Sequence, residues 1–499
     1  MSNEDMDLFL GASVRAGTKK AWTPQQEAVF EAVVKGQGNL EVVARAGAGK
    51  STTILECAVR LPPKVNAGLT AFNRTIADDL KAKAPDSLKV RTFHAAGFAI
   101  LKAHDRHCTI DTDKGILLAK EAAGMGAPTK LVTAVKRAAS MCKAYLVEDL
   151  ERAQEVFEDH DIDADGLVSQ RELAQMAFAA MKSAKEMPGL VDFDDQVWLP
   201  IVLNLKPKYV NDIVFVDEAQ DMAENQLRLA FSLAGGVGRI VVVYDPFQAI
   251  YEWRGAGTAM FNRIRSQLQA KQMPLTVTFR CARSIVRKAN ELVPDLEAAP
   301  NAEEGLVENL AVNQLITKAR PGDVIISRTN AALIKQCMAF IRAGIKSNIV
   351  GRDLGKTLSG MVTRSQASSV TDLLDWVAAW RMREVDKCQA KDQDPQPITD
   401  KAACVEAFAD GAKSIAEVLR NISVMFDDGD DRERVLFSST HRFKGMERDR
   451  VFLLWSTYLN ARTVRNETGE YVTQAVTFEE RALAYVAITR AKKELYLVR

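Results

Sequence analysis

The chain reads as an α/β protein of parallel sheets interrupted by two mostly helical blocks. Three observations lead there. Short apolar runs at Leu40 to Ala44, Ile213 to Val216, Ile240 to Tyr244 and Val451 to Leu454 read as strands of a parallel sheet buried on both faces. Each leads into a polar or Gly-bearing loop and then a helical pattern, an alternation that puts functional loops at strand carboxyl ends. From Leu101 to Leu190 the pattern changes: Ala, Lys, Met and Leu recur at helical spacing with no β-rich run. A second such block runs from Thr371 to Val424, broken by the polar segment KDQDPQP.

Bulk properties bound the rest. A length of 499 residues suggests about three or four domains. With 47% hydrophobic and 26% charged residues, a core of full size is available without staples or metals. A net charge of +1 argues against a uniformly basic coat and leaves room only for local basic grooves. The seven cysteines are scattered without a CxxC pair, as expected of free thiols in a reducing cytosol. The amino-terminal MSNEDMDLFLGASVRAGTKK has no apolar core of signal-peptide length, and no run approaches the roughly 18 apolar residues of a membrane span. The expectation is a cytoplasmic protein with no membrane partner.

The strand Leu40–Ala44 runs into Arg45-Ala46-Gly47-Ala48-Gly49-Lys50-Ser51-Thr52. This is GxxxxGK[ST] with Ala44 at the first Gly, in the strand–loop–helix context the motif needs. Small residues at Ala46, Gly47, Ala48 and Gly49 let backbone N–H groups close around phosphate oxygens at a helix amino terminus. Lys50 is then expected to reach the β and γ phosphates of ATP, and Ser51 to ligate Mg²⁺. The run Ile213–Val216 ends in Asp217-Glu218, an acidic pair suited to holding Mg²⁺ (Asp217) and polarising an attacking water (Glu218).

At this point the sequence resembles the superfamily 1A helicases of the UvrD, Rep and PcrA kind. Trp22-Thr-Pro-Gln-Gln26 is similar to the family's Q motif, which implies that Gln26 reads the adenine edge. Ala71-Phe72-Asn73-Arg74 and Thr92-Phe93-His94 resemble two DNA-contacting motifs. Tyr244-Asp-Pro-Phe-Gln248-Ala-Ile-Tyr251-Glu-Trp253-Arg254-Gly-Ala resembles GDxxQxIYxFRGA, with Tyr244 in place of Gly. There Gln248 is implied to sense γ-phosphate, and Trp253, beside Arg254, to stack on a base; every base offers a π face, so stacking tolerates any sequence. Thr278-Phe279-Arg280 implies an adenine cover in Phe279 and a γ-phosphate contact in Arg280. Ser439-Thr440-His441-Arg-Phe-Lys444-Gly445-Met-Glu447 resembles TIHxxKGLE, which places His441 with the DNA contacts and Glu447 with the nucleotide. The final motif, Glu480 to Lys492, implies a second arginine finger in Arg490.

The resemblance implies two RecA-like parallel-sheet motor domains, each carrying a mostly helical insertion. The first domain is expected at 1–98 and 190–275 with its insertion at 99–189, the second at 276–355 and 435–499 with a short insertion at 356–434. The implied activity is a DNA-stimulated ATPase that moves 3′→5′ on single-stranded DNA and unwinds tailed duplex, acting as a monomer. A helicase-nuclease would need a further carboxylate–metal domain, and only nine residues follow Arg490. A translocase that strips proteins without unwinding fits the same motifs. A non-motor NTP switch would explain the phosphate loop but neither the two fingers nor Trp253.

One pattern stands outside the resemblance. Asp161, Asp163, Asp165, Gly166, Ser169 and Glu172 fit the twelve-residue EF-hand loop, so that Asp161, Asp163, Asp165 and Glu172 are candidate Ca²⁺ ligands. A capped helix–turn–helix with an acidic turn fits the same residues.

Overall fold

A computed structural model describes residues 21–499 except 72, 161, 165, 251–264, 391–394, 427–432, 460–462, 466–470 and 474–475. Two six-stranded sheets dominate it. The first contains β1 (Leu40–Ala44), β2 (Ala67–Ala71), β3 (Leu88–Thr92), β4 (Ile213–Asp217), β5 (Arg239–Tyr244) and β6 (Lys271–Leu275), in the order β3-β2-β4-β5-β1-β6. The second contains β7 (Leu306–Leu310), β8 (Val324–Ser327), β9 (Ser347–Ile349), β10 (Val435–Ser439), β11 (Arg448–Leu454) and β12 (Ala491–Val498), in the order β7-β12-β11-β8-β10-β9. Every ladder in both sheets is parallel. The central strands β1, β2, β4, β8 and β10 are buried along their whole length, which is why they read as unbroken apolar runs. Pro274 lies in β6, where an edge strand spares it one ladder hydrogen bond.

This topology brings the phosphate loop after β1, the acidic pair after β4 and the Gln248 segment after β5 to the carboxyl ends of three adjacent strands. The second sheet contributes from its other end: Glu447 immediately precedes β11 and Arg490 immediately precedes β12.

The two helical blocks attach differently. Between β3 and β4, helices Lys114–Ala123, Thr129–Ala144, Leu150–Asp159 and Gln170–Glu186 close over their own core around Val135, Phe157 and Leu173. After β9, helices Arg352–Arg364, Val370–Ala390, Gln396–Ala409 and Ile415–Met425 share one continuous core with the second sheet, including Ile325, Phe437 and Phe452. In the acidic loop, Glu172 Oε2 accepts from Ser169 N at 2.8 Å and Ser169 Oγ at 2.8 Å, a capping box that opens helix Gln170–Glu186. Asp161 and Asp165 lie outside the described residues. Both cap bonds fall on Glu172 Oε2, so the capping box is compatible with the capped helix–turn–helix and with an ion loop alike. Among the described residues no helix is long and apolar enough to cross a membrane, and none of the seven cysteines forms a disulfide.

A buried charge cluster ties the first helical block to the sheet. Lys114 Nζ donates to Asp195 Oδ2 at 2.6 Å and to the Leu190 carbonyl at 2.6 Å, while Lys143 Nζ reaches Asp195 Oδ1 at 2.7 Å. Asp195 is fully buried at the start of helix Asp195–Val202, and with the buried Asp192, whose Oδ2 lies 3.5 Å from Lys143 Nζ, it balances two desolvated ammonium groups. Asp195→Ala leaves Lys114 without a carboxylate partner and Lys143 with Asp192 alone, and is expected to cost about 3–5 kcal/mol, read from the urea midpoint of unfolding.

Candidate nucleotide cleft and nucleic-acid face

The loop from Arg45 to Gly49 turns on two glycines with positive φ, Gly47 at 73° and Gly49 at 77°, which L side chains rarely adopt. Gly47 is also the point of closest approach: a Cβ there would lie 2.6 Å from Arg280 Cβ, and the Gly47 carbonyl accepts from Phe279 N at 2.9 Å. The Thr278–Arg280 segment thus clasps the loop directly. Lys50 opens helix Lys50–Arg60, and its Nζ lies 2.9 Å from Glu218 Oε2. Ser51 Oγ donates to Asp217 Oδ2 at 2.7 Å.

The electrostatics follow from burial. Asp217 is raised above the usual carboxylate range by burial first and by the neighbouring Glu218 charge second. Burial pushes Glu218 the same way, but Lys50 and Lys444 outweigh it and hold Glu218 low. Burial opposes the Lys50 charge, yet Glu218, Asp245 and Asp217 raise its pKa overall. The cleft therefore stores an ionised Lys50–Glu218 pair beside a carboxylate short of positive charge. Ser51 and Asp217, adjacent and desolvated, are a donor set that suits a small hard cation.

Gln26 and Phe279, which the resemblance assigns to adenine, converge on Gly49. A Cβ on Gly49 would lie 3.5 Å from Gln26 Nε2 and 4.0 Å from Phe279 Cδ2. Gln26 is buried and donates to Thr53 Oγ1 at 3.2 Å, and Phe279 is 51% exposed, an unusual position for an aromatic ring with nothing over it. Ala46 and Ala48 are buried, and Thr52 faces solvent on the first helical turn.

From the second sheet, Arg280 Nε lies 2.5 Å from Glu447 Oε2, and Glu447 Oε1 also meets Lys492 Nζ at 2.9 Å. Arg490 is 1% exposed and is held by main-chain carbonyls, donating to Val486 at 3.0 Å and Met446 at 3.2 Å. Among the described residues no carboxylate lies within 4.0 Å of it. Burial, with Arg280 beside it, pulls its pKa down to about 10. Gln248 Nε2 donates to Asp245 Oδ2 at 2.8 Å, and the Gln248 carbonyl accepts from Lys444 Nζ at 2.7 Å.

Residues 22–269 match the UvrD/REP helicase N-terminal domain, and residues 390–499 match the UvrD-like helicase C-terminal domain. The chain belongs to the UvrD/Rep-like, superfamily 1A helicase family. It is 24% identical to F-box DNA helicase protein 1 of Schizosaccharomyces pombe over 529 aligned positions, covering 96% of this chain and 57% of that protein. It is 25% identical to DNA helicase II of Escherichia coli over 53% of this chain and 39% of the relative. The ATP-dependent DNA helicase Rep of Escherichia coli is 33% identical over 21% of this chain and 17% of Rep. The chain therefore spans between about a sixth and somewhat over half of the length of these relatives.

On the family's DNA-contacting motifs the structure separates residues that the sequence groups together. Thr92 Oγ accepts from Ala95 N at 3.1 Å and Asn73 Oδ1 from Ile76 N at 2.8 Å, each capping the helix that follows its strand. His94 stacks on the exposed Phe193 at 3.6 Å between centroids, and burial lowers its pKa to about 4. Phe93 is a correction. At 4% exposure it packs with Val43, Ile100 and Val214 beneath the sheet, out of reach of DNA, because the first residue of this helix turns its side chain inward. His441 sits at the seam between the two bodies, near the Ile250 main chain, and burial, Arg328 and Lys444 lower its pKa to about 4. Phe72, Trp253 and Arg254 lie outside the described residues.

Sequence reasoning missed the residues that join the two UvrD-like bodies behind the loop. Arg45 donates to both carboxylate oxygens of Asp295 at 2.7 Å each, and its guanidinium lies 3.8 Å from the buried Asp245. Tyr485 Oη accepts from Ala46 N at 2.9 Å. Lys444 Nζ meets Asp221 at 2.7 Å. The signal at Arg45 was available: a lone cation in a loop otherwise made of small residues. Arg45→Ala and Asp295→Ala are each expected to weaken ATP binding, and a double-mutant cycle on the nucleotide Kd should return a coupling of about 1–3 kcal/mol for this charge-assisted pair.

Proposed function

We propose that this chain is an ATP-dependent single-stranded-DNA translocase and DNA helicase of 3′→5′ polarity, hydrolysing ATP between its two RecA-like bodies. Arg490 carries the reading. A guanidinium with no carboxylate within 4.0 Å among the described residues, buried beside a second arginine, is a charge awaiting an anion. A triphosphate supplies it.

In this reading Ala46, Gly47, Ala48, Gly49 and Thr52 shape the phosphate cradle, and Lys50 stabilises charge developing on the γ-phosphate. Gln26 and Phe279 hold adenine, by its edge and face. Ser51 and Asp217 hold Mg²⁺, which supplies charge neutralisation on the phosphates. Glu218, held ionised by Lys50 and Lys444, orients the attacking water and accepts its proton. Glu447 aims Arg280 toward the phosphates, and Arg280 and Arg490 spread their guanidinium groups over the equatorial oxygens. Gln248, fixed through Asp245 and through Lys444 of the opposite body, reports the γ-phosphate to the DNA-contacting motifs, to which the resemblance assigns Asn73, Thr92, His94 and His441 and, outside the described residues, Phe72, Trp253 and Arg254. Closing and reopening of the cleft then steps the strand. Intracellular, monomeric action on tailed duplex fits this cycle.

Single-stranded DNA is expected to stimulate ATP hydrolysis, and Arg280→Ala or Arg490→Ala to cut turnover by about 10³-fold or more with far weaker effects on nucleotide binding. A steady-state ATPase assay paired with nucleotide titration separates the two, and turnover within severalfold of wild type would remove the finger role.

Strand displacement on tailed duplexes checks direction. A 3′ tail is expected to support unwinding and a 5′ tail not. Preference for the 5′ tail would overturn the polarity.

A further inference from the structure

We propose that the outer edge of the first sheet is a docking site for an acidic peptide segment that buries one large apolar side chain. A cavity of about 310 Å³ opens between β2, β3 and the helix Phe93–His104. Small residues create it: Gly68 on β2, and Ala96, Ala99 and Ala103 along the helix. Its walls β2 and β3 are three and four strand positions from β1, roughly 14–19 Å from the phosphate loop's strand, and none of the cleft residues lines it, so it is no part of the nucleotide cleft.

Its mouth is cationic. Tyr209 is 67% exposed, with Lys89 Nζ 5.5 Å and Lys208 Nζ 5.4 Å from its ring centre. Arg91 follows Lys89 by two residues on β3 and also lines the cavity, so both project from one face of that strand. None of Lys89, Arg91 and Lys208 has a carboxylate within 4.0 Å among the described residues. In a chain of net charge +1, three unpaired cations around an exposed aromatic ring are a local excess that calls for an anion.

The interior decides which kind of anion. Thr70 Oγ1 already donates to the Phe215 carbonyl at 3.1 Å, and Asn211 Nδ2 to the Leu233 carbonyl at 3.1 Å. A nucleobase inserted there would bury its polar edge largely unpaired, at a cost of a few kcal/mol. An aliphatic or aromatic side chain would not. β3 ends the sheet, with no strand beyond it among the described residues, so an extended peptide can pair its backbone along that edge. Alternate side chains of such a strand then enter the cavity, while acidic neighbours meet Lys89, Arg91 and Lys208.

The test pans a random dodecapeptide library displayed on phage against the full chain, then measures the enriched sequences as fluorescent synthetic peptides by anisotropy. Enriched peptides are expected to be acidic with one large apolar residue. Their affinity should fall at least tenfold with K89E/R91E at the rim and with Ala103→Trp filling the cavity, while DNA-stimulated ATPase activity stays within twofold. The rim variant changes only exposed side chains, so it reads the surface even where Ala103→Trp perturbs folding. Enrichment of non-acidic peptides, no enrichment, or affinity indifferent to the rim variant would overturn the proposal. So would displacement of the peptide by a labelled oligo-dT that itself weakens tenfold on K89E/R91E, which would make the face a nucleic-acid path.

Discussion

Lys50 beside Glu218, with Asp217 one residue away, is the interaction on which the cleft depends. Three charges share a space from which water is largely excluded, and they do not balance. Lys50 satisfies Glu218, which stays ionised, while Asp217 has the Ser51 hydroxyl and the Glu218 N–H, both uncharged, as its close donors and is raised by burial. Across the seam the imbalance has the opposite sign: Arg280 shares Glu447 with Lys492, and among the described residues Arg490 meets only carbonyl and hydroxyl oxygens. A site short of cation on one wall and short of anion on the other is complementary to a metal-bound polyphosphate. Neither wall is near its electrostatic optimum alone, which is the expected signature of a site that a ligand completes.

The same burial fastens the bodies to each other away from the nucleotide. Ala46, within the phosphate loop, packs in the hydrophobic cluster of the second sheet and gives its N–H to Tyr485. Arg45 reaches Asp295 from the same loop. On the other side of the cleft Lys444 bonds both Asp221 and the Gln248 carbonyl, so two segments of the first body answer to one side chain of the second. Any change in the distance between the sheets is felt at the phosphate loop and at Gln248 together.

Much of this was legible because it is local. A phosphate loop needs small residues, positive φ and a following helix, and all three are written in consecutive positions from Ala44 to Thr52. Strands covered on both faces show as unbroken apolar runs. What was not legible depends on long-range placement. Arg45 and Asp295 are separated by 250 residues, and nothing in either neighbourhood names the other. Phe93 failed for a different reason: the motif that carries it marks a strand-to-helix corner, and only the helix phase decides that Thr92 caps, Phe93 turns in and His94 turns out. At the acidic loop the pattern fits two structures equally, and the Ser169–Glu172 cap is common to both.

The cores also constrain how the bodies move. The first helical block closes a hydrophobic cluster that also takes in Leu101, Trp198 and Leu199 from helices Phe93–His104 and Asp195–Val202, beside the Lys114–Asp195–Lys143 group. Shifting the block off these helices would uncover those side chains. The second block packs on its sheet directly. Leu358, Leu373, Phe408 and Ile422 from its four helices lie in one cluster with Ile325, Phe437 and Phe452 of the second sheet. Swinging that block away would expose several large side chains, at about 1.5–3 kcal/mol for each one uncovered. The second sheet and its helices therefore form one body, and Lys444 and Tyr485 lie where it meets the first.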